Sequence, residues 1–383
     1  TVMINLEESL MREVLRTNRV GAYHSSTVVD CNTRKYHGLL VMPVPALDED
    51  NHVLLSSLDE TVIQHGAEFN LGLHKYGEND FSPKGHKYIR EYTCDTVPRT
   101  LYRVGGVIFS KEKVFSQYEN RIMIKYTLED AHSATTLRFR PFLAFRNVKD
   151  LTYANNNLNQ SYTEVPNGIK MCLYAGYPNL FMQFSKKATF VYDPQWYYGI
   201  EYPKEQERGY PYKEDLFVPG YFELPIKKGE SVIFSAGDCQ TATTRLKSLY
   251  ETEAQCRTPR TNFFNCLKNS AQQFYFRPTA DDAYLLAGYP WFKVRARDLF
   301  VSAPGCTLAI DDPVRFEKIM ATCLPALSAF MEDGAEDNVI KEISEPDVLL
   351  WAIWAIQQYA KDMGIEKTNE LYKEFVEEAI QYI

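Results

Sequence analysis

Four things are scarce in this chain, and each scarcity closes a class of function. Basic charge is outweighed: 42 Lys and Arg stand against 50 Asp and Glu, a net charge of −8. An acidic chain is a poor clamp for a phosphate backbone, so nucleic acid is not an expected partner. Long apolar runs are missing too. The longest, residues 348–356, falls short of the roughly 20 residues that span a bilayer, so no membrane is expected. Histidine stops at His132, with all seven at or before it, so a site in the last two thirds of the chain works without imidazole. That disfavours His-zinc and Ser-His-Asp chemistry there. Cysteine occurs eight times but never as Cys-x-x-Cys, which gives no metal or disulfide framework and fits the reduced thiols of the cytoplasm. No cofactor is expected. The start of the chain carries Glu7 and Glu8 rather than a basic stretch before an apolar run, unlike a secretory leader.

What is present describes a folded protein of two or three domains. The chain has 383 residues, 45% hydrophobic and 24% charged, the mix of a globular protein with a real core. Aromatic residues reach 14%, with 26 Tyr, 22 Phe and 4 Trp. That is more than a core needs, and flat amphipathic rings suit sugars. Up to about Asp238 the pattern has period two, as in 122–128 and 136–145 around the polar turn 130–133. Further strands are predicted at 53–64, 87–94, 100–116, 168–174, 179–192 and 231–236, with one short helix over 7–15 in front. Beyond it the period becomes 3.6, and helices are predicted at 243–256, 262–274, 313–331, 346–362 and 367–382. Pro346 suits a helical first turn and Gly364 a helix end. The expected domains are 1–245, an antiparallel β-sandwich, and 246–383, helical. The final helix runs to Ile383 without a cap, and a helical array stopping in mid-pattern predicts a truncated chain.

The densest group of chemistry-bearing residues lies between Ala287 and Gly305. A loop rich in Gly, Pro and aromatics runs into a helix whose start carries Arg297 and Asp298, which would set an indole, Trp291, beside a fixed charged pair. A hexose could stack its CH face on the indole while its hydroxyls bond the guanidinium and the carboxylate. An internal salt bridge and an aromatic-anchored loop fit the same residues. Asp347 and Trp351, at i and i+4, would share one helical face, and equally read as a first-turn acid and a core indole. Arg34, Tyr36 and His37 form a cluster suited to packing, with His37 a hydrogen-bonded structural residue rather than a base. The acid- and tyrosine-rich segment 201–215 reads as a solvated loop over a cleft.

Gly288-Tyr289-Pro290-Trp291-Phe292, Arg297-Asp298 and Pro304-Gly305 together resemble the signature that opens the catalytic barrel of bacterial and archaeal glycogen debranching enzymes of the amylo-α-1,6-glucosidase type. Four further ordered blocks are similar to that family: 17–40, with Asn32-Thr33-Arg34-Lys35-Tyr36-His37-Gly38; 54–60; 140–146; and 196–220. The resemblance implies an N-terminal antiparallel β-supersandwich followed by the first helices of a glucoamylase-like (α/α)6 barrel. It carries glucose-hydroxyl binding over to Arg297 and Asp298, and it extends the substrate-binding set to Trp291, Asp347 and Trp351. The chain departs from the family at Arg295-Ala296, where Trp-Gly usually stands, and only loosely follows it at 333–340.

The function so implied is hydrolysis of α-1,6-glucosidic branch points in glycogen or a limit dextrin. Inverting hydrolysis needs a carboxylic acid and a carboxylate base roughly 6.5 to 9.5 Å apart. In barrels of this class they lie on later loops, so both are expected beyond Ile383, and this chain alone is expected to be inactive. The alternatives are a non-catalytic carbohydrate-binding protein and another exo-acting α-glucan hydrolase, such as a glucoamylase. The expected partner is glycogen or a branched α-glucan. A homo-oligomer would cover apolar faces left open on the last helices.

Overall fold

A computed structural model describes residues 5–383 as two compact units, with the chain passing from the first to the second between Arg257 and Thr258. The first opens with a single turn of helix, α1 (Leu6–Leu10), whose N-cap Asn5 accepts from the Glu8 amide. The helix expected over 7–15 ends there, because the chain turns at Met11 and pairs Glu13–Thr17 with Tyr23–Thr27 as a strand. Two eight-stranded antiparallel sheets follow. In one, the long strands Asn51–Gln64 and Thr135–Asn147 lie side by side at the centre. In the other, Val107–Phe115, Arg121–Asp130 and Ser231–Gly237 do. Alternation explains the arrangement: along Thr135–Asn147, Leu137 and Phe139 are fully buried while Thr136 and Arg138 are not. Helix α2 (Pro203–Glu207) and helix α3 (Leu246–Gln255) complete this unit. Leu246 and Tyr250 of α3 pack on Val114, Met123 and Ile233, so the helical pattern that begins here still belongs with the sheets.

The aromatic surplus goes mostly into the sandwich. Phe109 and Tyr126 of the second sheet stack at 5.6 Å, and Tyr126 meets Phe139 of the first sheet at 4.9 Å. Phe184 then bridges back, 5.1 Å from Phe139 and 5.2 Å from both Phe222 and Phe234. These rings tie the two sheets face to face, and the largest fully buried side chains of the protein are all Tyr and Phe. The composition was therefore a poor pointer to sugar platforms.

Three further sequence-based segments resolve differently, and the strand expected over 179–192 divides into Leu180–Phe184 and Thr189–Glu201, which lie in different sheets. The strand expected over 100–116 is a hairpin, Pro98–Val104 with Val107–Phe115, because Gly105 and Gly106 take φ of +54° and +84°, as a tight two-residue turn requires. The solvated loop expected over 201–215 instead holds α2 and buries Glu201, Glu205 and Glu214.

The second unit has a short hairpin, Tyr275–Phe276 with Tyr284–Leu285, and five helices. These are α4 (Phe263–Gln272), α5 (Ala296–Cys306), α6 (Pro313–Asp333), α7 (Val348–Met363) and α8 (Ile365–Tyr382). Asp312 caps α6 by accepting from the Arg315 amide, and Gly334 ends it in the left-handed conformation at φ +73°. Pro346 lies just outside α7, which begins after its N-cap Asp347. The core centres on Phe316, stacked 5.1 Å from Tyr359, with Tyr372 edge-on to both. On α8, Phe375 and Ala379 are buried while Leu371 and Ile380 are exposed. Among the described residues, no helix is long and apolar enough to cross a membrane.

Candidate functional site

The site forms where the start of α5 meets the segment leading into α7. Backbone bonds hold the two together: Lys341 N donates to Val294 O at 2.9 Å and Ala296 N to Lys341 O at 3.0 Å. That places Arg297, in the first turn of α5, against Asp347. The guanidinium grips the carboxylate at two points, Nε to Oδ2 at 2.8 Å and Nη2 to Oδ1 at 2.9 Å. Trp351 donates its indole N–H to the same carboxylate at 3.2 Å, one turn along α7, and lies edge-on to Trp354 at 5.5 Å. Glu345 stands 3.8 Å from Arg297.

Three of the five expected residues, Arg297, Asp347 and Trp351, are thus assembled into one hydrogen-bonded group. The expected pairing of Arg297 with its neighbour Asp298 is not found, because consecutive helical residues point about 100° apart and Asp347 approaches from another element. Asp298 instead faces Arg295 at 3.9 Å. Trp291 sits in the preceding loop, closed by Phe292 N to Gly288 O at 3.1 Å and Ala287 N to Lys293 O at 2.8 Å, with its side chain about half exposed.

All of these groups reach solvent. The Arg297 guanidinium holds the Asp347 carboxyl below the usual carboxylate range, and Arg295 does the same to Glu342. Such carboxylates accept hydrogen bonds and do not give up protons, while the guanidinium donates, which is the complement a ring of hydroxyls presents.

The sequence missed Glu342 and Glu345. Their signal was there: three acids, Glu342, Glu345 and Asp347, face Arg295 and Arg297, a charge match between two segments that one-dimensional periodicity does not reveal. Among the described residues, no group of three or more His, Cys, Asp or Glu is placed to hold a metal. In the first unit His37 is buried. It donates from Nε2 to Glu13 at 2.8 Å and accepts the Thr33 amide at Nδ1, so it ties a loop to the first strand. The His37 bond, helped by Arg34, pulls the Glu13 carboxyl down to about 2.

Comparison with known proteins agrees with the two-unit organisation. The glycogen debranching enzyme N-terminal profile matches residues 12–233, and the amylo-alpha-1,6-glucosidase profile matches residues 268–382. The chain belongs to the glycogen debranching enzyme family. No curated protein matches it. Among solved structures it is similar to a bacterial glucoamylase complexed with acarbose, at 10% identity and a TM-score of 0.42, covering 97% of this chain and 66% of that one. It is also similar to a polysaccharide lyase, at 10% identity and a TM-score of 0.23, covering 97% of this chain and 68% of the other. The chain thus spans just under two thirds of the length of the glucoamylase.

Proposed function

We propose that this chain binds a glucosyl unit of glycogen or a limit dextrin as part of a glycoside hydrolase that opens α-1,6 branch points. Its helices would form the opening of a glucoamylase-like barrel. Arg297 donates to sugar hydroxyls, Asp347 and Asp298 accept from them, and Trp291 and Trp351 offer ring faces to the CH side of the sugar. The observation that carries this reading is the solvent-facing Arg297–Asp347 pair with the Trp351 indole on the same carboxylate. A constellation of guanidinium, carboxylate and indole open to water is arranged for a polyhydroxylated ligand.

The same geometry supports a binding role for these acids over one in proton transfer. A general acid needs its proton held up to neutral pH, and Glu342 and Asp347 are pulled the other way by their arginines. We therefore place neither the general acid nor the general base among them.

The test is affinity and turnover measured on one preparation. Arg297→Ala should weaken binding of maltotetraose, followed by tryptophan fluorescence, at least about tenfold with an unchanged Tm, and should slow glucose release from a limit dextrin where that activity is present. Parental affinity in this variant would remove the site. Binding lost as proposed, but with no hydrolysis from a chain carrying the whole family sequence, would favour a carbohydrate-binding protein over a hydrolase.

A further inference from the structure

Beside the Arg297–Asp347 pair stands a second one whose geometry stability does not explain. Glu342 has a φ of +58°, in the left-handed region that glycine, asparagine and aspartate visit and longer side chains avoid. Its carboxylate takes two bonds from Arg295, Nη2 to Oε1 at 2.6 Å and Nε to Oε2 at 3.1 Å. The guanidinium lies over the Phe292 ring, 5.0 Å from its centre. Both partners are substantially exposed, at 34% and 46%, so screening by water leaves the pair little to contribute to folding. The two segments are in any case already joined by the backbone bonds of Lys341. Local strain spent on an exposed ion pair that adds little to folding points to a role for the pair in binding.

What the pair does accomplish is directional. Arg295 is the N-cap of α5 and Asp298 lies one turn on. A planar guanidinium clamped at two points on one edge cannot rotate, so its distance of 3.9 Å from Asp298 and its seat on Phe292 are fixed together. We infer that Arg295 and Glu342 are positioning residues of the glucosyl-binding surface, setting the Asp298 carboxylate and the aromatic loop 291–292 in register. The inference rests on the sugar-binding reading of that surface and deepens it.

Glycine and aspartate at 342 separate strain from charge, since both accept the left-handed backbone and only aspartate keeps a carboxylate. Glu342→Gly should leave Tm unchanged or raised and weaken maltotetraose binding about fivefold to tenfold. Glu342→Asp should stay within about threefold of the parent. Arg295→Lys, which keeps the charge but not the two-point grip, should fall with Glu342→Gly. Parental affinity in Glu342→Gly, or equal loss in the glycine and aspartate variants, would overturn the positioning role. Arg297→Ala in the same series tells the two failures apart. If it loses affinity while Glu342→Gly does not, only the positioning inference fails; if it too binds normally, the sugar site itself is wrong.

Discussion

Two arginine–carboxylate pairs, alike in chemistry, mark the difference between the two units. In the sandwich, Arg146 holds Glu214 with Nε and Nη2, the latter at 3.0 Å, and their side chains are 5% and 0% exposed. Tyr202 and the Thr152 amide complete the shell of Glu214 at 2.5 and 2.8 Å. In the helical unit, Arg297 holds Asp347 with the same two-point grip at 49% and 38% exposure. The first pair has every lone pair used inside the protein, and it is inaccessible to any ligand. The second leaves its outer edges to water, where a sugar can replace the water. The two grips are alike in contact, and burial alone sets whether a ligand can reach them. The sandwich repeats the buried pattern with Glu60, which receives Lys111 at 3.0 Å and Tyr126 at 2.8 Å while Lys111 also reaches Asp30 at 2.7 Å.

The largest effect should come from breaking the buried pair. Arg146→Ala strands the Glu214 carboxylate away from water, and losing one partner of a buried pair costs about 3 to 5 kcal/mol. Chemical denaturation should show that loss in the transition of the sandwich. The double replacement Arg146→Met with Glu214→Leu should cost clearly less than the single, because no charge is left unpaired. A loss below about 1 kcal/mol in Arg146→Ala would mean the two units do not differ in this way.

Acid should expose the next largest difference. Burial inside the sandwich pushes His24 down to about 3, against an ordinary 6.5, while its Nδ1 bonds Gly38 O at 2.9 Å. The unfolded chain takes up a proton below pH 6.5 that the folded chain refuses, so stability falls as the pH drops from about 6.5 toward 3 and is flat above. By pH 4.5 the loss from this residue is about 3 kcal/mol. Burial lowers His37 as well, in the same direction. Glu13, held near 2, adds its own loss only as the pH falls below about 4.5. His24→Gln, which keeps a donor for Gly38, should flatten the slope between pH 7 and 4.5; an unchanged slope would show that His24 is not the residue responsible. The helical unit has no histidine and should show no such slope in that window.

The same contrast explains what could be read from the sequence. Period two along 122–128 and 136–145, and period 3.6 in 313–331, identified strands and helices because one face of each is buried and the pattern records that face. The strands Tyr23–Thr27 and Gly38–Pro43 were legible only through a family block, since Tyr23–Thr27 is polar on both faces and Gly38–Pro43 is apolar on both, and most of Glu13–Thr17 was read as helix. In the site, Arg297 was found beside Asp298, and Asp347 with Trp351 on one helical face. Their arrangement was not, because it depends on Lys341 bridging to residues more than forty positions earlier. Glu342 was missed for the same reason: its charge match with Arg295 joins two distant segments, and its left-handed backbone leaves no mark in the sequence.

The smallest and sharpest prediction asks which acid belongs to Arg297. The sequence joined it to Asp298, and the structure joins it to Asp347. Asp298→Asn and Asp347→Asn each replace an anionic acceptor with an amide of the same shape, so neither should move Tm by more than about a degree at such exposed positions. Both should weaken glucan binding, Asp298→Asn by about tenfold in kcat/KM where turnover is measurable, because each removes an acceptor for a sugar hydroxyl. They differ before any sugar is added. The Trp351 indole donates to Asp347 and not to Asp298, so only Asp347→Asn should alter the tryptophan emission of the free protein. Trp351→Phe, which removes the reporting indole, should abolish the difference between the two variants. An emission change in Asp298→Asn equal to that in Asp347→Asn would return the guanidinium to its sequence neighbour.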